Sequence, residues 1–321
     1  MRYEELKQYR EQNIQKQATH QQLNDFHDKV MKNTVELAIK KVEKEQGQIP
    51  APFAFFIMGS AGRMEQSVWS DQDHGIIYAG DEEEKEYFLF LGKEIVSGLE
   101  EVGYERCDGK VMASESMWTN SIDNWENQVM EWLDEASWQS LRHFLTFFDS
   151  RVLIGKQTFL TEIKQSVFIY IKSHPDIVRR LIDNVAFIKK GVGVFGQLLP
   201  EQIGKMAGQI NIKTTTLFPY VNSLRLLALI NQEPKASTLA RFRALQSKYS
   251  YIEEYRTLFE SLLEFKLPFA QHANNYEEVH YIPIKQLSKS DKQVLKEYIK
   301  TGTELFNQTK NILKEECLKW E

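Results

Sequence analysis

The chain has 321 residues, 42% hydrophobic and 26% charged, the balance of a soluble globular protein long enough for two domains. Its net charge of −5 at pH 7 excludes a general nucleic-acid binder, which would present a basic face. A nucleotide remains open as a ligand, since one local basic cluster suffices for it.

Residues 1–47 are polar, with Leu23, Phe26, Val30, Val35, Leu37 and Ile39 as a partial apolar stripe. This predicts one or two helices that pack on the strands after them and end at Gly47 and Pro50. Phe53–Met58 reads as a first strand and residues 74–78 as a second. Asp81 caps a predicted helix to Leu99, and the run Asp81–Glu84 is its acidic first turn. A third strand pair is expected near 104–113. The sum is a small mixed sheet with helices to one side, an α+β arrangement. From about residue 120 the periodicity is helical. Trp118, Trp125, Trp132 and Trp138 are read as packing residues, since aromatics dominate cores. A last helix, capped by Asp291, needs a partner surface and predicts an antiparallel bundle. The expected domains are a helical segment 1–47, a catalytic module 48–155 and a helical domain 156–321, with a boundary near Gly155.

The most informative stretch is Gly59-Ser60-Ala61-Gly62-Arg63-Met64-Glu65, followed by Ser70-Asp71-Gln72-Asp73. Gly59 lets backbone approach a phosphate closely, having no Cβ. Ser60 can donate a hydroxyl and a backbone N–H to phosphate oxygens. In an extended strand, residues i and i+2 share a face. Asp71 and Asp73 therefore project together and can hold a hard divalent cation through oxygen. Alone, an Asp-x-Asp is most often a solvated turn. Set between two apolar strands and after a glycine turn, it reads as a site for a nucleoside triphosphate with Mg²⁺ or Mn²⁺.

The segment G-S-x-G-R-x-E-x4-S-D-x-D resembles the nucleotidyltransferase domain of the bacterial PII-uridylyltransferase group. It is most similar to a branch of nucleotidyltransferases that often carry CBS or cyclic-nucleotide-binding domains. Cys107-Asp108-Gly109-Lys110-Val111-Met112 matches that branch, as does Phe147-Phe148-Asp149-Ser150-Arg151 with Gly155 after it. Asn211-Ile212-Lys213, Pro219 and Leu224-Arg225-Leu226-Leu227-Ala228-Leu229 resemble its C-terminal substrate-binding helical domain. The attached CBS domains are expected to be absent, nothing upstream being long enough to encode them.

The resemblance implies a polymerase-beta-like catalytic domain followed by a helical bundle. It implies Mg²⁺- or Mn²⁺-dependent transfer of a nucleoside monophosphate to a hydroxyl on a protein or small molecule, in signalling or regulation. Asp71 and Asp73 would hold the metal, and Gly59, Ser60 and Ser70 would contact the nucleotide. Arg63 would neutralise the leaving pyrophosphate, its alternative being an ion pair with Glu65, which would orient it or bind metal through water. Active members of the superfamily usually add a third carboxylate. Asp108 and Asp149 are the candidates, and neither sits in an alternating strand pattern. Without it the reading turns to a catalytically degenerate nucleotide-binding regulator or scaffold.

Lys213 and Arg225 are marked by the resemblance as acceptor or phosphate ligands, expected to face the nucleotide cleft. The competing use of the bundle is packing or a homodimer. Arg151 is expected to pair with Asp149 or reach a phosphate. The seven histidines show no zinc-type i, i+4 pair, and His74 falls on the strand face opposite Asp73. Cys107 and Cys317 are too few and too far apart for a disulfide framework, so a reducing cytoplasm is expected, with Cys107 a small buried apolar residue. No apolar run approaches the roughly 20 residues that span a bilayer, and Met1–Glu5 lack a signal-peptide core.

Overall fold

The computed structural model describes residues 2–320, with side chains through residue 316; Met1, Glu321 and the Cys317 side chain lie outside the described part. The chain divides into two compact units, residues 1–135 with 143–167, and residues 136–142 with 168–321. The arrangement is α+β.

The first unit opens with α1 (Tyr3–Asn13) and α2 (His20–Gln46). Thr19 caps α2, its hydroxyl accepting from the Gln22 N–H at 3.2 Å. Gly47 ends the helix with φ +90°. A four-stranded mixed sheet comes next, in the order β3-β2-β1-β4. It is built from β1 (Phe53–Ile57), β2 (His74–Tyr78), β3 (Thr119–Ser121) and β4 (Arg151–Gly155). β1 runs antiparallel to β2 and β4, and β2 runs parallel to β3.

Every residue of β1 and β2 is buried, which requires cover on both faces. The expectation of helices on one side is corrected here. Phe53 meets Phe88 of α4 (Lys85–Val102), and Tyr78 stacks on the same ring at 4.5 Å. Phe56 points the other way, to Trp125 of α5 (Ile122–Glu135) and Phe147 of α6 (Trp138–Phe148). Trp118, Trp125 and Trp132 pack against one another on that side, while Trp138 is exposed.

The strand pair expected at 104–113 is also corrected. That segment makes a single bridge, Asp71 to Glu105. It then turns at Cys107–Lys110, where the Lys110 N–H reaches the Cys107 carbonyl at 2.9 Å and Lys110 takes φ +55°. The third strand comes later, at β3, and pairs parallel.

The second unit is helical. The later part of α7 (Gln157–Ser173) leads into α8 (Asp176–Val185). A two-stranded ribbon, β5 (Gln209–Asn211) with β6 (Tyr281–Pro283), brackets the central helices in the chain. α9 (Phe218–Ile230) is buried on nearly all sides and forms the bundle centre. Around it lie α10 (Thr238–Leu245), α11 (Ile252–Gln271) and α12 (Lys289–Trp320). Tyr220 and Leu224 of α9, Phe242, Phe259, Leu295 and Leu305 share one core. The α12 start is capped three residues earlier than expected: Ser288 Oγ accepts from the Asp291 N–H, and the Asp291 carboxylate accepts from the Ser288 N–H.

Candidate functional site

The connector between β1 and β2 begins and ends at one point. The Met58 N–H donates to the Asp73 carbonyl at 2.8 Å, so the glycine after β1 lies against the second aspartate. Gly59 opens a short helix, α3 (Gly59–Arg63), with φ +56°. A Cβ at Gly59 would sit 2.2 Å from Asp73 Oδ2. A side chain there would have to displace the Asp73 carboxylate. Gly62 is equally constrained, since a Cβ there would lie 1.9 Å from the Asp149 carbonyl oxygen. The residues before β2 are braced by the 104–113 segment: the Gln72 N–H reaches the Glu105 carbonyl at 2.9 Å, and the Glu105 N–H reaches the Ser70 carbonyl at 3.2 Å.

This bracing brings Asp71, Asp73 and Cys107 together, with ligand atoms within 4.8 Å of one another and all three half-buried. Among the described residues no other group of His, Cys, Asp and Glu side chains converges so closely. Burial pushes the Cys107 thiol up to about 12, the Asp73 and Asp71 charges adding to it. The thiol is therefore protonated at neutral pH and hydrogen-bonds Asp73. The carboxylate pair fits a hard cation such as Mg²⁺, which takes one or two carboxylates and fills its shell with phosphate and water oxygens. Sulfur is a soft donor that such an ion does not favour, so Cys107 reads as a donor that orients Asp73. Sequence reasoning treats Cys107 as apolar filling; the signal available is its place in the Cys-x-Gly-x-Val-Met element.

The other named residues fall into two sets. Arg63, Glu65 and Asp149 form a closed ion group. Arg63 Nε meets Glu65 Oε2 at 2.7 Å and Nη1 meets Asp149 Oδ2 at 2.9 Å, with Asp149 fully buried. Burial works against the Arg63 charge, but the two carboxylates outweigh it and leave the guanidinium more firmly protonated than usual. Arg151 pairs with Asp28, not Asp149, through two bonds of 2.8 and 2.5 Å, and also donates to the Ala61 carbonyl. Ser70 is buried, its hydroxyl held by Gln66 at 2.9 Å and by its neighbour's carbonyl. Ser60 is half-buried in the first turn of α3, and Asp108 is exposed outside the carboxylate cluster.

A set of residues not singled out from sequence holds the connector down. One face of α2 carries His20, Asn24, His27 and Asp28. His20 Nε2 lies 3.0 Å from the Met64 carbonyl, and Asn24 Oδ1 accepts from the Gln66 N–H at 2.9 Å. His27 Nε2 reaches the Ser67 carbonyl at 2.8 Å, with Nδ1 3.0 Å from the Tyr104 hydroxyl. From α1, Arg10 donates to the Val68 carbonyl at 2.9 Å. Burial, with the Arg10 charge adding, pushes His27 down to about 3 and keeps it neutral. Burial does the same to His74, which bonds Gln72 and the Ala113 N–H and stays out of the carboxylate cluster. The spacing i, i+4, i+7, i+8 on one helix face is the available signal.

Lys213 and Arg225 both lie in the second unit and are half-buried. Lys213 Nζ stands 5.8 Å from the Tyr276 ring centre. Arg225 Nη1 donates to Asn222 Oδ1 at 2.9 Å.

A glycine turn set against paired carboxylates just before a strand of a mixed sheet, with a helical bundle later in the chain, fits a nucleotidyltransferase. A family model described as "Putative nucleotidyltransferase DUF294" matches residues 3–139, and one described as "Putative nucleotidyltransferase substrate binding domain" matches residues 175–312. The chain belongs to this family. No curated protein matches it. Among the described residues no helix is long and apolar enough to cross a membrane.

Proposed function

We propose that this chain transfers a nucleoside monophosphate from a nucleoside triphosphate to a hydroxyl acceptor, as the resemblance to the PII-uridylyltransferase group implies. The observation that carries the reading is the Asp71/Asp73 pair set against a glycine whose added Cβ would meet Asp73 Oδ2 at 2.2 Å. Mg²⁺ or Mn²⁺ held by the two carboxylates would neutralise triphosphate charge, the main need of phosphoryl chemistry. The Ser60 hydroxyl and the backbone of Gly59 receive phosphate oxygens. The acceptor oxygen attacks the α-phosphorus, the α–β anhydride bond breaks and pyrophosphate leaves, the hydroxyl proton passing to a base. Arg63, Glu65 and Arg151 serve in this reading as positioning residues that fix α3, and Ser70 as a brace of the Asp71 strand. The module 48–155 carries the chemistry, and the domain 156–321, with Lys213 and Arg225, holds a protein or small-molecule acceptor. A signalling or regulatory role in the cytoplasm belongs to the same proposal.

One observation favours a second reading. Of the candidate third acids, Asp149 is consumed by Arg63 and Asp108 is exposed and outside the cluster. A chain so equipped would bind nucleotide as a regulator or scaffold without transferring it. Incubation with each α-labelled nucleoside triphosphate, Mg²⁺ or Mn²⁺ and cell extract separates the two. Label on an acceptor, lost in Asp71→Asn/Asp73→Asn, supports transfer. Binding without label favours the regulator, and absence of metal-dependent binding sinks both.

A further inference from the structure

The two segments that meet at the paired acids are tied together on both sides of Cys107. Before it, Asp71 and Glu105 form a parallel bridge, with the Gln72 N–H on the Glu105 carbonyl at 2.9 Å. After it, the His74 N–H reaches the Val111 carbonyl at 3.0 Å, and the Ala113 N–H donates to His74 Nδ1 at 3.1 Å. Between these ties the Cys107–Lys110 turn carries the sulfur to Asp73. Three ligand atoms, two carboxylate oxygens and one Sγ, thus stand within 4.8 Å of one another, with backbone bonds fixing the chain on either side. All three residues are half-buried, so an ion can reach them from solvent, and the Cys107 thiol is in no disulfide.

We propose that Asp71, Asp73 and Cys107 form a three-ligand site for a thiophilic divalent cation of the Zn²⁺ class, which displaces Mg²⁺ there. Two oxygens and a sulfur are a donor set that a hard cation does not use in full: Mg²⁺ takes carboxylates and leaves the sulfur a hydrogen-bond donor. Zn²⁺ accepts carboxylate oxygen at about 2.0–2.2 Å and thiolate sulfur at about 2.3 Å. Around a tetrahedral ion with such bonds the ligand atoms stand roughly 3.5 Å apart. Atoms already within 4.8 Å close to that spacing by side-chain rotation. As the sulfur–metal bond forms, the thiol proton passes to solvent, and the charge of the ion holds the sulfur as thiolate. Asp73 gives up the hydrogen bond from the thiol and stays as a ligand. With three ligands from the chain, a tetrahedral ion keeps one position for an outside oxygen, whereas an octahedral Mg²⁺ on two carboxylates keeps several. The consequence is inhibition: Zn²⁺ occupies the carboxylates and leaves too few positions for a triphosphate. This last step alone rests on the proposed function; the binding of Zn²⁺ does not.

The test titrates the reduced full chain with Cd²⁺, whose sulfur-to-metal charge-transfer band in the ultraviolet reports a bound thiolate. The band is expected to saturate at one ion per chain, to persist in Cys317→Ser and to vanish in Cys107→Ser and Cys107→Ala, with thermal melting to check the fold of each. Asp71→Asn/Asp73→Asn should weaken Cd²⁺ binding at least about 100-fold, beyond the 10–100-fold that loss of an outer partner of a metal ligand typically causes. Zn²⁺ should erase the band, and a large excess of Mg²⁺ should leave it. Zn²⁺ should also abolish Mg²⁺-dependent nucleotide binding in the native chain. A band without any metal-dependent nucleotide binding leaves the site standing and fails the transfer reading instead. No band in the native chain, a band that survives in Cys107→Ser, or unchanged Cd²⁺ affinity in the double variant overturns the site. Nucleotide binding untouched by saturating Zn²⁺ overturns the displacement of Mg²⁺.

Discussion

Two groups of charged residues in the first unit are built on opposite plans. Arg63, Glu65 and Asp149 are buried and mutually satisfied, one cation between two anions. Asp71, Asp73 and Cys107 are half-buried, with two acidic side chains side by side and a thiol kept neutral by burial and by the neighbouring carboxylates. The first arrangement is complete without any ligand. The second gathers two carboxylates and a thiol whose ligand atoms lie within 4.8 Å of one another. Both contain residues that sequence motifs present as equivalent site members, and only their pairing tells them apart: charge balanced within the fold holds the frame, and in the proposed function the paired acids are where a cation would be held.

The sharpest way to break this contrast is to remove the cation of the closed group. Arg63→Ala takes an ion-pair partner from a fully buried Asp149, and unfolding in urea should show a loss of about 3–5 kcal/mol. Arg63→Lys should give an intermediate loss, since an ammonium cannot serve Glu65 and Asp149 with the fork that Nε and Nη1 provide. A stability unchanged in both variants would remove the structural role.

Gly59→Ala comes next. It places a methyl 2.2 Å from Asp73 Oδ2 at a backbone φ of +56°, for an expected cost of about 1–3 kcal/mol. Metal-dependent nucleotide binding should fall with it, because the carboxylate must move. Calorimetry showing native affinity would mean that the contact is dispensable.

The bracing helix responds to pH. His27 is held down to about 3 in the fold against 6.5 for an ordinary histidine. The unfolded chain therefore takes up a proton below pH 6.5 that the folded chain refuses until about pH 3. The stabilisation is complete above that window and declines as pH falls through it, by about 1.4 kcal/mol per pH unit from this residue. Urea midpoints between pH 4 and 7 should drop along that slope in the native chain and more shallowly in His27→Gln.

The smallest effect on stability is expected at the open group. Asp71→Asn with Asp73→Asn should change unfolding energy by no more than about 0.5–1 kcal/mol, because no buried partner is stranded. The same double variant should lose at least tenfold in Mg²⁺-dependent nucleotide affinity, about 1.4 kcal/mol. Retained affinity would sink the metal assignment, and a large destabilisation would erase the contrast between the two groups.

The apolar strands at 53–58 and 74–78 and the helix from Asp81 onward are legible because hydrophobic runs and capping residues act locally. The actual helix α4 extends to Val102 and stops at Gly103 with φ +106°. What escapes a sequence reading is set by distance along the chain. Nothing local tells that Arg63 will meet Asp149, 86 residues away, or that Arg151 will choose Asp28, 123 residues away. The 104–113 segment resembles strands, since Cys107 to Met112 carries apolar residues, yet its turn at Lys110 spends it on bracing Asp71. The helical stripe of α2 is visible in sequence only through its apolar members. Its histidines lack zinc spacing, and their role is to bond the backbone of the connector.

That stripe has a genetic consequence. A mutational scan scored on activity alone would flag positions 20, 24, 27 and 28, recurring along α2 with the pitch of a helix, beside the expected 59, 71 and 73. The two classes would look alike in phenotype and differ in remedy. Alleles in α2 loosen Met64–Ser67 and should be suppressed by low temperature or by a second stabilising change elsewhere in the unit. On the proposed function, alleles at Asp71 and Asp73 would remove the metal ligands and should have no suppressor of that kind.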